Sequence, residues 1–359
     1  VALVKLLVLG YLLGSNFATD VPIYILALVI GVYQIFHASI NLVTYVLYRK
    51  NKIRPRFRLL LDGLVLVFLG GTSLLSSTGN SVFQLFVLGA YFFLYGLSNI
   101  RDGFLFEEEI GKNHLKRRIR ISLPIVLAAL IPARTLAKVN KFMLENADEE
   151  EDIHLGMVKS GKTAELEIFV HTAETSLFSA IGHVDICYQG RVISYGNYDP
   201  SSETLFGMVG DGVLYFCDRD KYIDLCKRES QKTLFGYGID LTPEMEKAVQ
   251  KKLAELKQLT IPWEPSADKI MTGDGKEDYT YAYKIRHETD GELYKFIKSK
   301  FKSYFVLSTN CVLLADTIVG QAGTDILSPK GFIAPGTYQA YLNREFEKPN
   351  SIVVSKHVY

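Results

Sequence analysis

The sequence predicts two kinds of structure in one chain: an all-α helical membrane domain over residues 1–144 and an α+β domain over 145–359. Three observations carry this. Long apolar stretches with short polar loops fill the first part, whereas Lys, Glu, Asp and Tyr are plentiful in the second. Strand-like runs and capped helices follow one another through the second part. Finally, His183 sits in a strand-like run and Cys311 at a helix start, well over a hundred residues apart.

About five hydrophobic segments, 1–18, 22–48, 58–77, 80–99 and 119–140, are candidates for transmembrane helices, which need ~20 mostly apolar residues. The middle three qualify best. A cleaved signal peptide is the ordinary reading of a lone first segment, but further spans follow it here. The second and fourth segments read as copies at one constant offset. Gly31-Val32-Tyr33 matches Gly89-Ala90-Tyr91, Ala38 matches Gly96, and Asn41 matches Asn99. A duplicated helix pair results, with small residues suited to close helix contact. Over residues 1–135 this pattern resembles the HdeD-like family of small bacterial membrane proteins, which implies an anchor or packing partner. His37 lies well inside the second span; a helix–helix hydrogen bond is its default role and a functional one the alternative.

The basic loops 49–56 and 112–120 are expected in the cytoplasm and the uncharged loop 76–80 outside. If 119–140 then crosses, the remaining chain is extracytoplasmic. Pro124, Pro132 and Arg134 leave an interfacial position as the alternative. The expected location is therefore the cell membrane, multi-pass, with the C-terminal domain outside.

A net charge of +1 gives no reason to expect a nucleic-acid partner. The four cysteines, Cys187, Cys217, Cys226 and Cys311, fit no zinc spacing, so neither metal nor cofactor is expected. Two disulfides are the alternative to free thiols if the domain lies outside.

In the second domain, acidic 147–152 reads as a linker. Strands are expected at 164–171, 183–188, 191–195 and 213–217, with Gln189-Gly190 as the turn of a hairpin. Thr242-Pro243-Glu244 starts a helix to about residue 259. A strand is expected at 281–286 and a helix at 290–302. Asn310 caps a helix over 311–319, which Gly320 ends.

Cysteine attacks as the thiolate, favoured at a helix N-terminus and beside a histidine. Cys311 has the first setting, and His183 can supply the second. On a strand His183, Asp185 and Cys187 share one face. The bland alternative is that Cys311 is a small buried hydrophobe and His183 a satisfied structural residue. His171 ends a strand; a surface place is its default, and the same cleft the alternative. Asp274 lies in a polar turn that lacks a full calcium-ligand register.

Three stretches carry a resemblance: Gly182-His183-Val184-Asp185-Ile186-Cys187-Tyr188, Gly190-Arg191-Val192-Ile193-Ser194-Tyr195-Gly196, and Asn310-Cys311. In this order they resemble the circularly permuted papain-like families, including lecithin:retinol acyltransferase-like proteins. The Lnb-like periplasmic domain family is similar through its Gly-His strand, the Tyr195-Gly196-Asn197-Tyr198-Asp199 segment, the Leu-Thr-x-Glu helix start and Asn-Cys. The resemblance spans about 165–342 and implies a permuted papain-like fold. It makes Cys311 the nucleophile and His183 its base. Relatives carry a second histidine on the next strand; Tyr195 stands there, with Asn197 as the alternative third member. Asn310, Asn197 and Asp185 are the expected substrate-binding residues.

The expected function is thiol-dependent acyl transfer on a membrane lipid or lipoprotein substrate. The alternatives are an extracytoplasmic cysteine peptidase or amidase on cell-wall peptide, and a non-catalytic membrane scaffold.

Overall fold

A backbone flanked by apolar side chains bonds within itself as a helix, and two such helices make up most of the described first unit. They are α1 (Asp20–Lys50) and α2 (Phe57–Leu75). The computed structural model describes residues 20–75, 86, 89, 93, 157–158, 164–171, 182–230, 234–271, 275, 277–320, 339, 342–343, 345–349 and 351–359. The chain divides into unit Val1–Gly111 and unit Lys112–Tyr359.

Within the first unit, α1 and α2 pack through small residues. A Cβ on Gly63 would lie 2.8 Å from Leu42 Cδ2. One on Gly70 would lie 2.9 Å from Ile35 Cδ1 and 3.0 Å from the Gly31 carbonyl oxygen. Ala38 is fully buried at the same contact. Among the described residues only Ala27–Lys50 and Phe57–Leu75 are long and apolar enough to cross a membrane. The expectation of about five transmembrane helices is corrected to these two. Segments 1–18 and 119–140, the linker 147–152 and nearly all of 80–99, with its repeat, lie outside the described residues.

The second unit is built on β-structure. Its strands are β1 (Met157–Val158), β2 (Leu166–His171), β3 (His183–Tyr188), β4 (Arg191–Gly196), β5 (Val209–Asp211) and β6 (Val213–Asp218). They continue as β7 (Leu234–Ile239), β8 (Thr260–Pro262), β9 (Lys269–Met271), β10 (Glu277–Tyr279), β11 (Glu292–Phe296), β12 (Ser303–Phe305) and β13 (Val353–Val358). Nine form one antiparallel sheet in the order β1-β13-β7-β2-β3-β4-β6-β11-β8. Separate ribbons pair β5 with β12 and β9 with β10.

Helices cover both faces of the sheet. On one face Val184, Ile186, Ile193 and Tyr195 pack with α4 (Pro243–Lys257) and α6 (Cys311–Val319). On the other Phe169, Cys187, Val192 and Tyr215 pack with α3 (Arg219–Ser230) and α5 (Tyr281–Glu288). Each large side chain taken out of water contributes roughly 1.5–3 kcal/mol.

Caps decide several elements. Thr242 accepts from Met245 N–H and Asn310 from Leu313 N–H, fixing the starts of α4 and α6 where the sequence put them. Residues 281–286 form helix α5, not a strand, because Thr280 caps Tyr283 N–H and Ala282 and Ile285 bury one face. Residues 290–302 form no α-helix, only strand β11 and a single 3₁₀ turn at Lys300–Lys302. Asp290 takes a left-handed φ of 51°, and β11 then pairs with β6 and β8. Helix α3 and strand β7 have no counterpart among the expected elements.

Gly70 and Gly71 are neighbours with opposite surroundings, since a Cβ on Gly71 meets nothing within 4 Å. In thermal melts of the full chain in detergent, Gly70→Ala should destabilise the helix pair by about 1–3 kcal/mol. Gly71→Ala should be neutral or stabilise it by up to about 1 kcal/mol. Equal effects would disprove the close contact.

Candidate active site

The hairpin turn sets which side chains meet. Gln189 and Gly190 both have positive φ, 51° and 74°, as a tight two-residue turn requires. The turn pairs Tyr188 with Arg191 and Ile186 with Ile193. His183, Asp185 and Ser194 consequently share one face, and Val184 and Tyr195 the other. On the adjoining strand His171 pairs with His183.

Asp185 is fully buried at the centre of this arrangement. Its Oδ2 accepts from His171 Nε2 at 2.7 Å and from the Tyr222 hydroxyl of α3 at 2.5 Å. Its Oδ1 stands 2.8 Å from His183 Nε2. That approach is a charge contact lying off the N–H axis, because Oδ1 has no aligned hydrogen-bond donor. The aligned partners of His183 Nε2 are Ser194 Oγ at 2.9 Å and the Tyr198 hydroxyl at 3.0 Å. Ser194 and Tyr198 also bond each other at 2.8 Å.

The His183 side chain is 26 % exposed and reaches the N-terminus of α6. There the Cys311 sulfur is in hydrogen-bonding reach of both His183 and the Tyr304 hydroxyl. Burial opposes a charged ring, but the Asp185 carboxylate and then Cys311 outweigh it and hold the His183 pKa well above 6.5. Burial likewise opposes the Asp185 anion, yet the charge of His183 first and then the hydrogen bond from His171 hold its pKa far below the usual carboxylate range. Tyr304 is pushed well above 10, by burial first and by Cys311 second, and so remains a donor.

A cleft of about 390 Å³ opens beside these groups. His183, Tyr198 and Tyr304 line it together with Asn197, Glu203, Phe206, Met208 and Val306. The residue Cys311 is itself only 3 % exposed.

The structure therefore brings Cys311, His183 and Asp185 together with Asn197 in the cleft beside them, and commits Tyr195 and Asn310 to structural bonds. Tyr195 is fully buried on the opposite sheet face, and its hydroxyl donates to the Phe301 carbonyl at 2.9 Å. The place expected for it, behind the imidazole, is held by Asp185, Ser194 and Tyr198. Asp185, expected to bind substrate, has no surface for one to touch and instead backs His183. Asn310 is committed to its cap and to the Val306 carbonyl at 3.0 Å. Asn197 lines the cleft and packs its side-chain oxygen on Gly210. His171, whose default was a surface place, is buried at 8 % exposure. Asp274 lies outside the described residues.

Ser194, Tyr198, Tyr222 and Tyr304 join the site without having been among its expected residues. The parity of the Gln189-Gly190 turn was a usable signal for Ser194; the other three depend on tertiary packing. All four cysteines are free and buried. Burial pushes the Cys187 thiol up to about 12 and raises Cys217 as well, which sets both apart as inert core residues. No group of His, Cys, Asp and Glu suited to a metal occurs among the described residues. No protein-family model matches the chain, and no curated protein or solved structure matches it significantly.

The paired shifts set a sign for stability against pH. The folded chain holds an extra proton on His183 above pH 6.5, so that contribution is complete below 6.5 and is lost as pH rises through the raised value. The Asp185 contribution is present above 3.8 and is lost only as pH falls through its depressed value. Urea unfolding from about pH 6 to about pH 9 should show falling stability, and Asp185→Asn should flatten that slope. An unchanged slope in the variant would contradict the assignment.

Proposed function

We propose that the second unit is a thiol-dependent acyltransferase acting on a lipid-linked substrate, a phospholipid or lipoprotein. The observation that carries this reading is one contact: the Cys311 sulfur, at a helix N-terminus, beside an imidazole backed by a buried carboxylate. A small buried cysteine with only a packing role has no need of that charge arrangement. The resemblance to permuted papain-like families leads to the same pair of residues.

The chemistry runs in two balanced halves. The Cys311 sulfur attacks the acyl carbonyl carbon while the thiol proton resides on His183. The bond from carbonyl carbon to the leaving oxygen or nitrogen breaks, and His183 returns the proton to that leaving group. An acceptor amine, or water, then gives its proton to His183 and attacks the thioester. The acyl product departs, and sulfur recovers the proton. With Nε2 crowded by three oxygens, Nδ1 is the nitrogen left to serve sulfur. The free N–H groups at the start of α6 and the Tyr304 hydroxyl are the donors for the carbonyl oxygen as it gains charge.

Two features support a lipid-linked substrate over a peptide. Phe206, 95 % exposed, lines the cleft beside Met208 and Val306, and its chain neighbour Leu205 is 49 % exposed. Both also hold left-handed φ values, 58° and 49°, which bulky residues rarely adopt. In addition, the chain carries two helices apolar enough to span a bilayer. An acyl donor leaves a membrane only at ~0.8 kcal/mol per CH₂, so an enzyme using one gains from an anchor.

We further propose a multi-pass protein of the cell membrane. Arg49, Lys50, Lys52, Arg54 and Arg56 put the α1–α2 connection in the cytoplasm, and the second unit works outside.

The test is mass spectrometry of Cys311 after incubation with a long-chain acyl ester. Wild type should gain the acyl mass on Cys311, Cys311→Ala should gain none, and His183→Gln should slow the step by about 10²–10⁴-fold. A peptidyl adduct in place of an acyl one would move the assignment to an amidase. No adduct of either kind, with an unchanged cellular phenotype for Cys311→Ala, would leave a membrane scaffold.

A further inference from the structure

The Asp185 carboxylate is shared between two histidines, only one of which meets sulfur. His171 Nε2 lies 2.7 Å from Oδ2, His183 Nε2 lies 2.8 Å from Oδ1, and the two rings are 5.7 Å apart in an edge-on arrangement. Tyr222 donates to the same Oδ2 that His171 holds. We propose that His171 is a positioning residue of the Cys311 site, acting with Tyr222 to lock the Asp185 carboxylate so that Oδ1 is presented to His183. This rests on the thiol-nucleophile reading given above.

The argument is geometric. An aspartate carboxylate turns about one bond, and χ2 of Asp has a broad, roughly two-fold profile that fixes no single orientation. Two donors on one oxygen, from different elements, remove that freedom. His171 comes from β2, held across from His183 by strand pairing, and Tyr222 comes from α3 on the helix-covered face. With Oδ2 saturated, the remaining charge of the carboxylate is directed at His183. At the first position of β3 the His183 ring is bonded through Nε2 to Ser194 and Tyr198, and the Asp185 charge draws that same nitrogen. Without the lock the ring turns with the carboxylate, and the nitrogen facing sulfur moves. A displacement near 1 Å at a reacting group is enough to cost about 10²-fold in rate.

His171 is not among the residues that line the cleft; it bonds Asp185 and meets the His183 ring edge-on. Its hydrogen bond acts on the site through Asp185, so a side chain that donates to Oδ2 from the same place should restore function. Glutamine is such a side chain and leucine is not.

The experiment measures the rate of Cys311 alkylation by iodoacetamide in the full chain in detergent, alongside the thermal midpoint. His171→Leu should slow alkylation at least about tenfold, while His171→Gln stays within a few-fold of wild type. Tyr222→Phe, which deletes only a hydroxyl, should lie between them and serves if the leucine variant fails to fold. Rates that track the thermal midpoint alone, or a His171→Leu or Tyr222→Phe rate equal to wild type, would overturn the proposal. His183→Gln separates the two levels of the account. If it leaves alkylation unchanged, the thiol reading and this inference fall together. If it slows alkylation and the His171 and Tyr222 variants do not, this inference falls alone.

Discussion

A carboxylate with no exposed surface is the constraint on which the second unit depends. An isolated buried charge costs far more than a domain can spare, so Asp185 exists in the fold only because it is paired. Its partners come from three elements: His171 on β2, His183 on its own β3 and Tyr222 on α3. Strand register and helix docking are thus tied to one ionised group. Removing one member of such a set typically costs about 3–5 kcal/mol, because a charge is left uncompensated. The same pairing keeps an imidazolium beside sulfur. The fold and the proposed chemistry use one interaction.

How much of this was legible varied with the range of the physics. Helix α6 was legible to the residue, because Asn310 as cap and Gly320 as end act locally. So was the β3–β4 hairpin, since Gln189-Gly190 supplies a tight turn. The group behind His183 was misread. Tyr195 stands where a neighbouring strand passes, but a turn pairing Tyr188 with Arg191 puts Tyr195 on the face of Val184 and leaves Ser194 beside His183. That alternation was available in the sequence. The role of His171 was not, because it depends on β2 lying across β3 in one register. Residues 219–230 are strongly polar overall, which hides α3 and its Tyr222 even though Asp218 caps the helix by accepting from the Asp220 and Lys221 N–H groups. Residues 281–286 alternate aromatic, small and charged side chains like a strand, and the Thr280 cap overrides that pattern.

The first unit shows a simpler logic. Hydropathy alone marked α1 and α2, while their contact depends on glycines at which a methyl group has no room. Small residues and apolar length are sequence properties, which is why this part was readable where described.

The central claim is that His183 is held as a cation beside Cys311 by a buried carboxylate. Ring-nitrogen chemical shifts of labelled histidine, with His183 assigned by its loss in His183→Gln, test this most directly at about pH 7.5. The account predicts that both His183 nitrogens carry protons at that pH and that Asp185→Asn returns the ring to its neutral form. A neutral His183 ring in the wild-type chain would contradict it.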